Sequence, residues 1–165
     1  MFEHLLVALD GSPAAERVLE HAEALAGAFR STITLLRATI SAEMFVAETA
    51  GGETVAGQVA PAVDPTPVLD ADRAAAMEYL NGVAERLRRQ NLTVNAEHPS
   101  GPANEVIVER AAALGVSLIL MTTHGRGGLG RMVFGSTADS VLRHAACPVL
   151  LVRVTDDTGT VANQP

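Results

Sequence analysis

The feature that most limits the fold of this chain is an alternation. Short aliphatic or β-branched runs take turns with segments whose apolar residues recur every three or four positions. "HLLVALDGS" (4–12) is a continuous apolar run closed by turn residues, the pattern of a strand covered on both faces. Ser12 and Pro13 then supply an N-cap and a proline at the first helical position. Val18, Ala22, Leu25 and Phe29 follow at helical spacing and predict one face of an amphipathic helix. "STITLLRAT" (31–39) reads as a second strand. Residues 40–70 break the rhythm with Gly51, Gly52, Gly57, Pro61, Pro65 and Pro67, and read as a long connection, either a flap or a partly disordered insertion. A helix resumes near Asp72, with Ala76, Leu80, Val83 and Leu87 on one face. "LTVNAEH" (92–98) is a third strand, "GPANEVIVERAAALG" (101–115) a third helix, and "VSLILMTT" (116–123) a fourth strand. A short helix over 136–144 carries Val141 and Leu142, "PVLLVRV" (148–154) is the last strand, and residues 155–165 read as a flexible tail.

Strands separated by helices imply right-handed crossovers. The expected fold class is therefore α/β, a single doubly wound five-stranded parallel sheet with helices on both faces, filling residues 1–154 as one domain. Ligands of such sheets sit beyond the carboxyl ends of the strands, where the strand order reverses. Two polar features mark carboxyl ends in this chain, Asp10 after the first strand and a glycine-rich loop after the fourth. Neighbouring positions for these two strands would face both features into one crevice.

Composition removes several classes of function. The 12 basic residues are all arginine, so Schiff-base lysine chemistry and a Walker-type P-loop are both excluded. Net charge is −7, which argues against binding nucleic acid through phosphate neutralisation. One cysteine, Cys147, rules out an internal disulfide and cysteine-cluster metal sites. Its place before Pro148 reads as a small buried hydrophobe. His4, His21, His98 and His144 show no metal-ligand spacing. No apolar stretch approaches the about 20 residues of a membrane span, and "MFEHLLVALDG" lacks the basic start of a signal peptide. Cytoplasmic residence is the expectation.

"THGRGGLGRMVFGST" (123–137) places five glycines and two arginines between a strand and a helix. Amides freed by glycine can form an anion-binding concavity, and the helix opening at Ser136 adds unsatisfied N–H groups and a positive dipole end. Ser136 and Thr137 add hydroxyl donors, and Arg126 and Arg131 add positive charge. A phosphate ligand is one reading; a long turn with a capped helix is the other. "GRGGLG" (125–130) fits G-x-G-x-x-G by letters, but it follows the fourth strand and its helix does not open at once, which argues against a dinucleotide fold.

From "LLVALDGS", through "GPANEVIVERA", to "MTTHGRGGLGRMVFGSTADSVLRHAACPVLLVR" (121–153), the chain resembles the universal stress protein (UspA) family, ATP-binding branch. The resemblance excludes the 40–70 insertion and the tail. It implies strand order 3-2-1-4-5 and the motif Gly-x2-Gly-x9-Gly-Ser/Thr. Gly125, nine intervening residues, Gly135 and Ser136 match the later elements, whereas Thr122 occupies the first glycine position. Threonine suits that position if it is the extended end of a strand, and is strained if a positive φ is required. In the extended case its hydroxyl could contact the ribose.

The resemblance further implies that Asp10 contacts ribose or adenine, although an Asx-turn role in the DGS bend is the alternative. It implies that the Ala38 backbone meets the adenine edge. Gly125, Arg126, Gly128, Gly135, Ser136 and Thr137 would surround the phosphates of ATP, AMP or ADP, with Mg²⁺ or Mn²⁺ bridging phosphate oxygens. Met44 and Phe45 either cover the nucleotide or pin the insertion to the body. No convincing general base stands out, so hydrolysis is at most slow. The expected function is a dimeric, ATP-binding stress-response regulator, pairing through Pro148 to Val154. Two alternatives carry the same fold: a nucleotide-free dimeric scaffold, and a relative of electron-transfer flavoproteins.

Overall fold

The computed structural model describes residues 1–50, 64–124 and 135–154. In chain order the elements are β1 (His4–Ala8), α1 (Pro13–Glu16), α2 (Val18–Phe29), β2 (Thr32–Leu36), α3 (Ala42–Ala50), α4 (Thr66–Arg88), β3 (Thr93–Glu97), α5 (Ala103–Ala113), β4 (Leu118–His124), α6 (Ser136–His144) and β5 (Val149–Val154). All four strand pairings are parallel, and the order is β3-β2-β1-β4-β5. The expected sheet is therefore the observed one.

Strand parity divides the core. Leu5, Val7 and Leu9 of the first strand and its exit face α1, α2 and α4, packing with Val18, Ala22, Leu80, Val83 and Leu87. Leu6 and Ala8 face α5 and α6 and pack with Val106, Ile107, Ile119, Met121 and Val141. Both faces are apolar because both are covered, which is why β1 reads as an unbroken hydrophobic run. Each fully buried leucine contributes about 1.5–3 kcal/mol relative to an exposed one.

The first helix is built as its sequence suggests, with one break. Ser12 Oγ accepts a hydrogen bond from Ala15 N at 3.1 Å, and Pro13 follows at the first helical position. The helix is then divided at Arg17, and Val18 begins α2. Val18 and Ala22 are fully buried as expected, but Phe29 is 45% exposed. Its ring meets Phe2 edge-on, with centroids 5.2 Å apart, so it covers the N-terminus rather than entering the core.

The 40–70 segment departs from the long connection read in the sequence. Its first part is helical, as α3, and α4 starts at Thr66, six residues before Asp72. Pro65 and Pro67 begin that helix rather than break it, because the first-turn amides have no intrahelical partner to lose. Asp64 Oδ1 accepts from Thr66 N at 3.0 Å and supports the start. The glycines at 51, 52 and 57 and Pro61 lie outside the described residues. In α6, Val141 is fully buried while Leu142 is 40% exposed.

Candidate functional site

β1 and β4 are direct neighbours, yet the chain leaves β1 toward β2 on one side and β4 toward β5 on the other. Their carboxyl ends thus form the point where the strand order reverses. The backbone leaving β1 is fixed by Leu9 N donating to Leu36 O at 2.9 Å. It then turns through Asp10, Gly11 and Ser12. Gly11 has φ +87°, a conformation that penalises any side chain. Asp10 Oδ1 accepts from Ser12 N at 2.8 Å, so the Asx-turn role is real.

Beyond these ends lies a cavity of about 230 Å³. Among the described residues, Ala8, Leu9, Asp10 and Ala15 form its β1–α1 wall, Ala103 and Ile107 its α5 wall, and Met121 and Thr122 its β4 wall. The fourth side is the start of α6: Gly135, Ser136, Thr137 and Ala138. The cavity is apolar over most of this surface, with its polar groups at Asp10, Thr122 and the first turn of α6. That division suits a ligand with a flat apolar part and a charged part.

Gly135 is the N-cap of α6, with φ −55° and ψ 153°, and the cap makes no side-chain hydrogen bond. Among the described residues no side chain caps the first-turn amides of α6, which meet the cavity at the positive end of the helix dipole. Gly135 does not need to be glycine for its own conformation. A Cβ built there meets nothing within 4 Å among the described residues. Bare backbone at this position leaves room for whatever enters the cavity.

Thr122 lies within β4, paired in register with Val152. Its backbone is extended, so threonine carries no conformational penalty. Ala38, whose backbone the resemblance puts at the adenine edge, is not among the described lining residues; it packs beside Leu36 against the cluster containing Ile107, Met121 and Ala138, three residues that do line the cavity. Gly125, Arg126, Gly128 and Arg131 lie outside the described residues. The α5 wall, Ala103 and Ile107, and the apolar residues Ala15 and Met121 were not picked out from the sequence. The proline and glycine of "GPAN" at the start of α5 are the signal that could have found the first two.

Other residues lie away from the described cavity lining. Asp139 and Arg143 pair through two bonds of 3.0 and 3.1 Å on the exposed face of α6, and the carboxylate raises the guanidinium pKa. Cys147 is half-buried against the α5–α6 side of the core, and burial pushes its thiol up. Phe45 is half-buried, and Met44 is 38% exposed. Among the described residues no group of three His, Cys, Asp or Glu side chains is arranged to hold a metal ion. No described helix is long and apolar enough to cross a membrane.

A doubly wound parallel sheet of this order, with a cavity at its reversal point and a glycine-capped helix over it, defines a recognisable class of α/β protein. Residues 1–153 match the universal stress protein family, and the chain belongs to it. Universal stress protein YxiE of Bacillus subtilis is 26% identical over 153 residues, which covers 93% of this chain and 100% of the relative. The universal stress protein in the QAH/OAS sulfhydrylase 3′ region of Thermus aquaticus is 31% identical over 153 residues, again 93% and 100% of the two chains.

Solved structures share the fold. Hypothetical protein MJ0577 superposes with a TM-score of 0.74 at 22% identity, covering 94% of this chain and 99% of its own. A universal stress protein in complex with cAMP gives 0.65 at 16% identity, over 93% and 98%. One from Archaeoglobus fulgidus in complex with dAMP gives 0.62 at 21%, over 92% and 98%.

Proposed function

We propose that this chain is an adenine-nucleotide-binding regulatory protein of the cytoplasmic stress response, and that ATP is its principal ligand. The observation that carries the reading is the cavity at the β1–β4 reversal point, walled on one side by the start of α6, where the N-cap is a glycine. Apolar walls from β4 and α5 suit a base, Asp10 and Thr122 suit a ribose, and the amides of Ser136 and Thr137 with their hydroxyls suit phosphate. The cAMP and dAMP complexes of fold relatives support an adenine ligand in this architecture. The bend-shaping bond of Asp10 is compatible with this role, since a carboxylate offers about four acceptor sites.

The described residues supply no multidentate metal cradle. A divalent ion would therefore be carried chiefly by the phosphates, as Mg²⁺ commonly is. Asp10, the one carboxylate among the described lining residues, is assigned to the ribose in this reading, so hydrolysis is at most incidental. Regulation then rests on the bound state being read by a partner.

Dimerisation through β5 is part of the same reading, and the two sheet edges support it by contrast. At the β3 edge, Glu97 O accepts from Arg37 N and so faces β2. By alternation Val94 O faces outward, where Arg88 Nε and Nη2 donate to it at 3.2 and 2.6 Å and close that edge. On β5, Val149, Leu150, Leu151 and Val152 are half-buried in the single chain, and Arg153 is exposed. An apolar edge of this kind favours antiparallel pairing with a second copy.

Titration calorimetry with ATP and Mg²⁺ tests the nucleotide assignment. The expected result is saturable binding at one site per chain. No heat and no thermal stabilisation at millimolar ATP, AMP and ADP would leave the scaffold reading in its place.

A further inference from the structure

The backbone that continues from β2, residues 37–40, is held from behind by one carboxylate. Asp72, in the second turn of α4, accepts from Ile40 N through Oδ2 at 2.8 Å. Its Oδ1 stands 3.5 Å from Arg37 Nη2, with both side chains about four-fifths covered. The same guanidinium lies along the DGS bend: a Cβ on Gly11 would sit 3.5 Å from Arg37 Nη1 and 3.6 Å from Cζ. Asp72 therefore fastens the exit of β2 directly through Ile40, and it holds the guanidinium that lies against Gly11 at the exit of β1.

Ala38 lies between the two anchored residues, on the opposite side of the sheet, packed against the cluster that also supplies Ile107, Met121 and Ala138 to the cavity. Further bonds hold the segment laterally: Arg37 N to Glu97 O at 3.1 Å, Thr39 N to Pro99 O at 2.9 Å, and Gly101 N to Thr39 O at 2.9 Å. These tie it to β3 and the chain beyond. Among the described residues, the bonds that fix it against α4 are those of Asp72.

We propose that Asp72 is a positioning residue for the nucleoside end of the ligand. It sets the depth of the 38–40 backbone and the placement of the Asp10 bend, and it has no part in holding phosphate, which belongs to the start of α6 on the other side of the cavity. This role rests on the nucleotide reading above. It makes a separate demand, that the two ends of the ligand respond differently to one substitution.

The test compares ATP with inorganic tripolyphosphate, both with Mg²⁺, on the full-length wild type, Asp72→Ala and Asp72→Asn. Losing the bond to Ile40 N is expected to weaken ATP about tenfold in Asp72→Ala, the scale of one hydrogen bond, with tripolyphosphate affinity unchanged. Asp72→Asn keeps a carbonyl acceptor for Ile40 N and is expected to stay within about threefold of wild type for ATP. If Asp72→Ala fails to fold, Arg37→Gln reads the same split with the Ile40 bond intact. Equal losses of ATP and tripolyphosphate, or unchanged ATP affinity in a folded Ala or Gln variant, overturn the role. Wild-type protein that binds tripolyphosphate but gains nothing from the nucleoside also overturns it. Wild-type protein that binds neither overturns the nucleotide reading itself, and this role with it.

Discussion

Asn104 in α5 donates to Ser140 Oγ in α6 at 3.2 Å, joining the two helices whose first turns wall the cavity. The bond is half-buried, so removing it costs more than a surface contact would. Asn104→Ala is expected to lower unfolding free energy by about 1 kcal/mol and to weaken ATP by loosening the α6 wall. Urea denaturation with and without nucleotide measures both effects. Unchanged stability would show that the bond is not holding the helices.

Gly135 offers a cleaner separation of fold from ligand. Its φ of −55° suits any residue and its Cβ direction is open among the described residues. Gly135→Ala should therefore fold with stability within about 1 kcal/mol of wild type. Gly135→Trp should also fold, but with an indole occupying the ligand's space, and should lose the thermal shift produced by ATP and Mg²⁺. A retained shift in the Trp variant places the ligand elsewhere.

Thr122 sits extended and in register with Val152, so the missing motif glycine has no conformational cost here. Thr122→Gly removes a strand-favouring side chain and should cost about 0.5–1 kcal/mol of stability while leaving ATP binding in place. Nucleotide binding that arises only in the Gly variant would favour the scaffold reading.

Tyr79 is the single tyrosine in a chain without tryptophan, which makes its titration directly visible. Burial, followed by the negative charges of Glu16 and Asp10, pushes its phenol from 10 up to about 12. A folded pKa above the unfolded one means that the fold favours the neutral phenol. That stabilisation is complete below pH 10 and is lost as pH climbs through 12. Phenolate absorbance should rise near pH 12 in the native protein and near 10 in denaturant. A native midpoint at 10 contradicts the packing around Tyr79.

Light scattering at micromolar concentration should give the mass of two chains, with Leu151→Pro reducing it to one: Pro148 O accepts from Ile119 N of β4, so by alternation the Leu151 N–H faces the open edge and is the one lost. A wild-type monomer excludes pairing through β5.

Much of the architecture was legible because periodicity records burial. β1 reads as a solid apolar run for the reason that helices cover both its faces, and the buried stripe of α4 at Ala76, Leu80, Val83 and Leu87 falls where the spacing put it. What was missed depends on context that spacing does not carry. Pro65 and Pro67 look like breakers until the helix begins around them. Phe29 keeps helical spacing, yet finds Phe2 instead of the core. Asp72 left no mark at all, since its partners lie 32 and 35 residues away and are a backbone amide and an already charged neighbour.

The central claim is that the first-turn amides of α6 receive the ligand's negative charge across from Asp10. Backbone amide resonances of isotopically labelled protein, followed by NMR during titration with ATP and Mg²⁺, report on it residue by residue. Saturable shifts at Gly135, Ser136 and Thr137, accompanied by Asp10 and Gly11 and reduced to the α6 signals alone by tripolyphosphate, are the predicted result. Shifts confined to other parts of the sheet, or none at millimolar ATP, would contradict it.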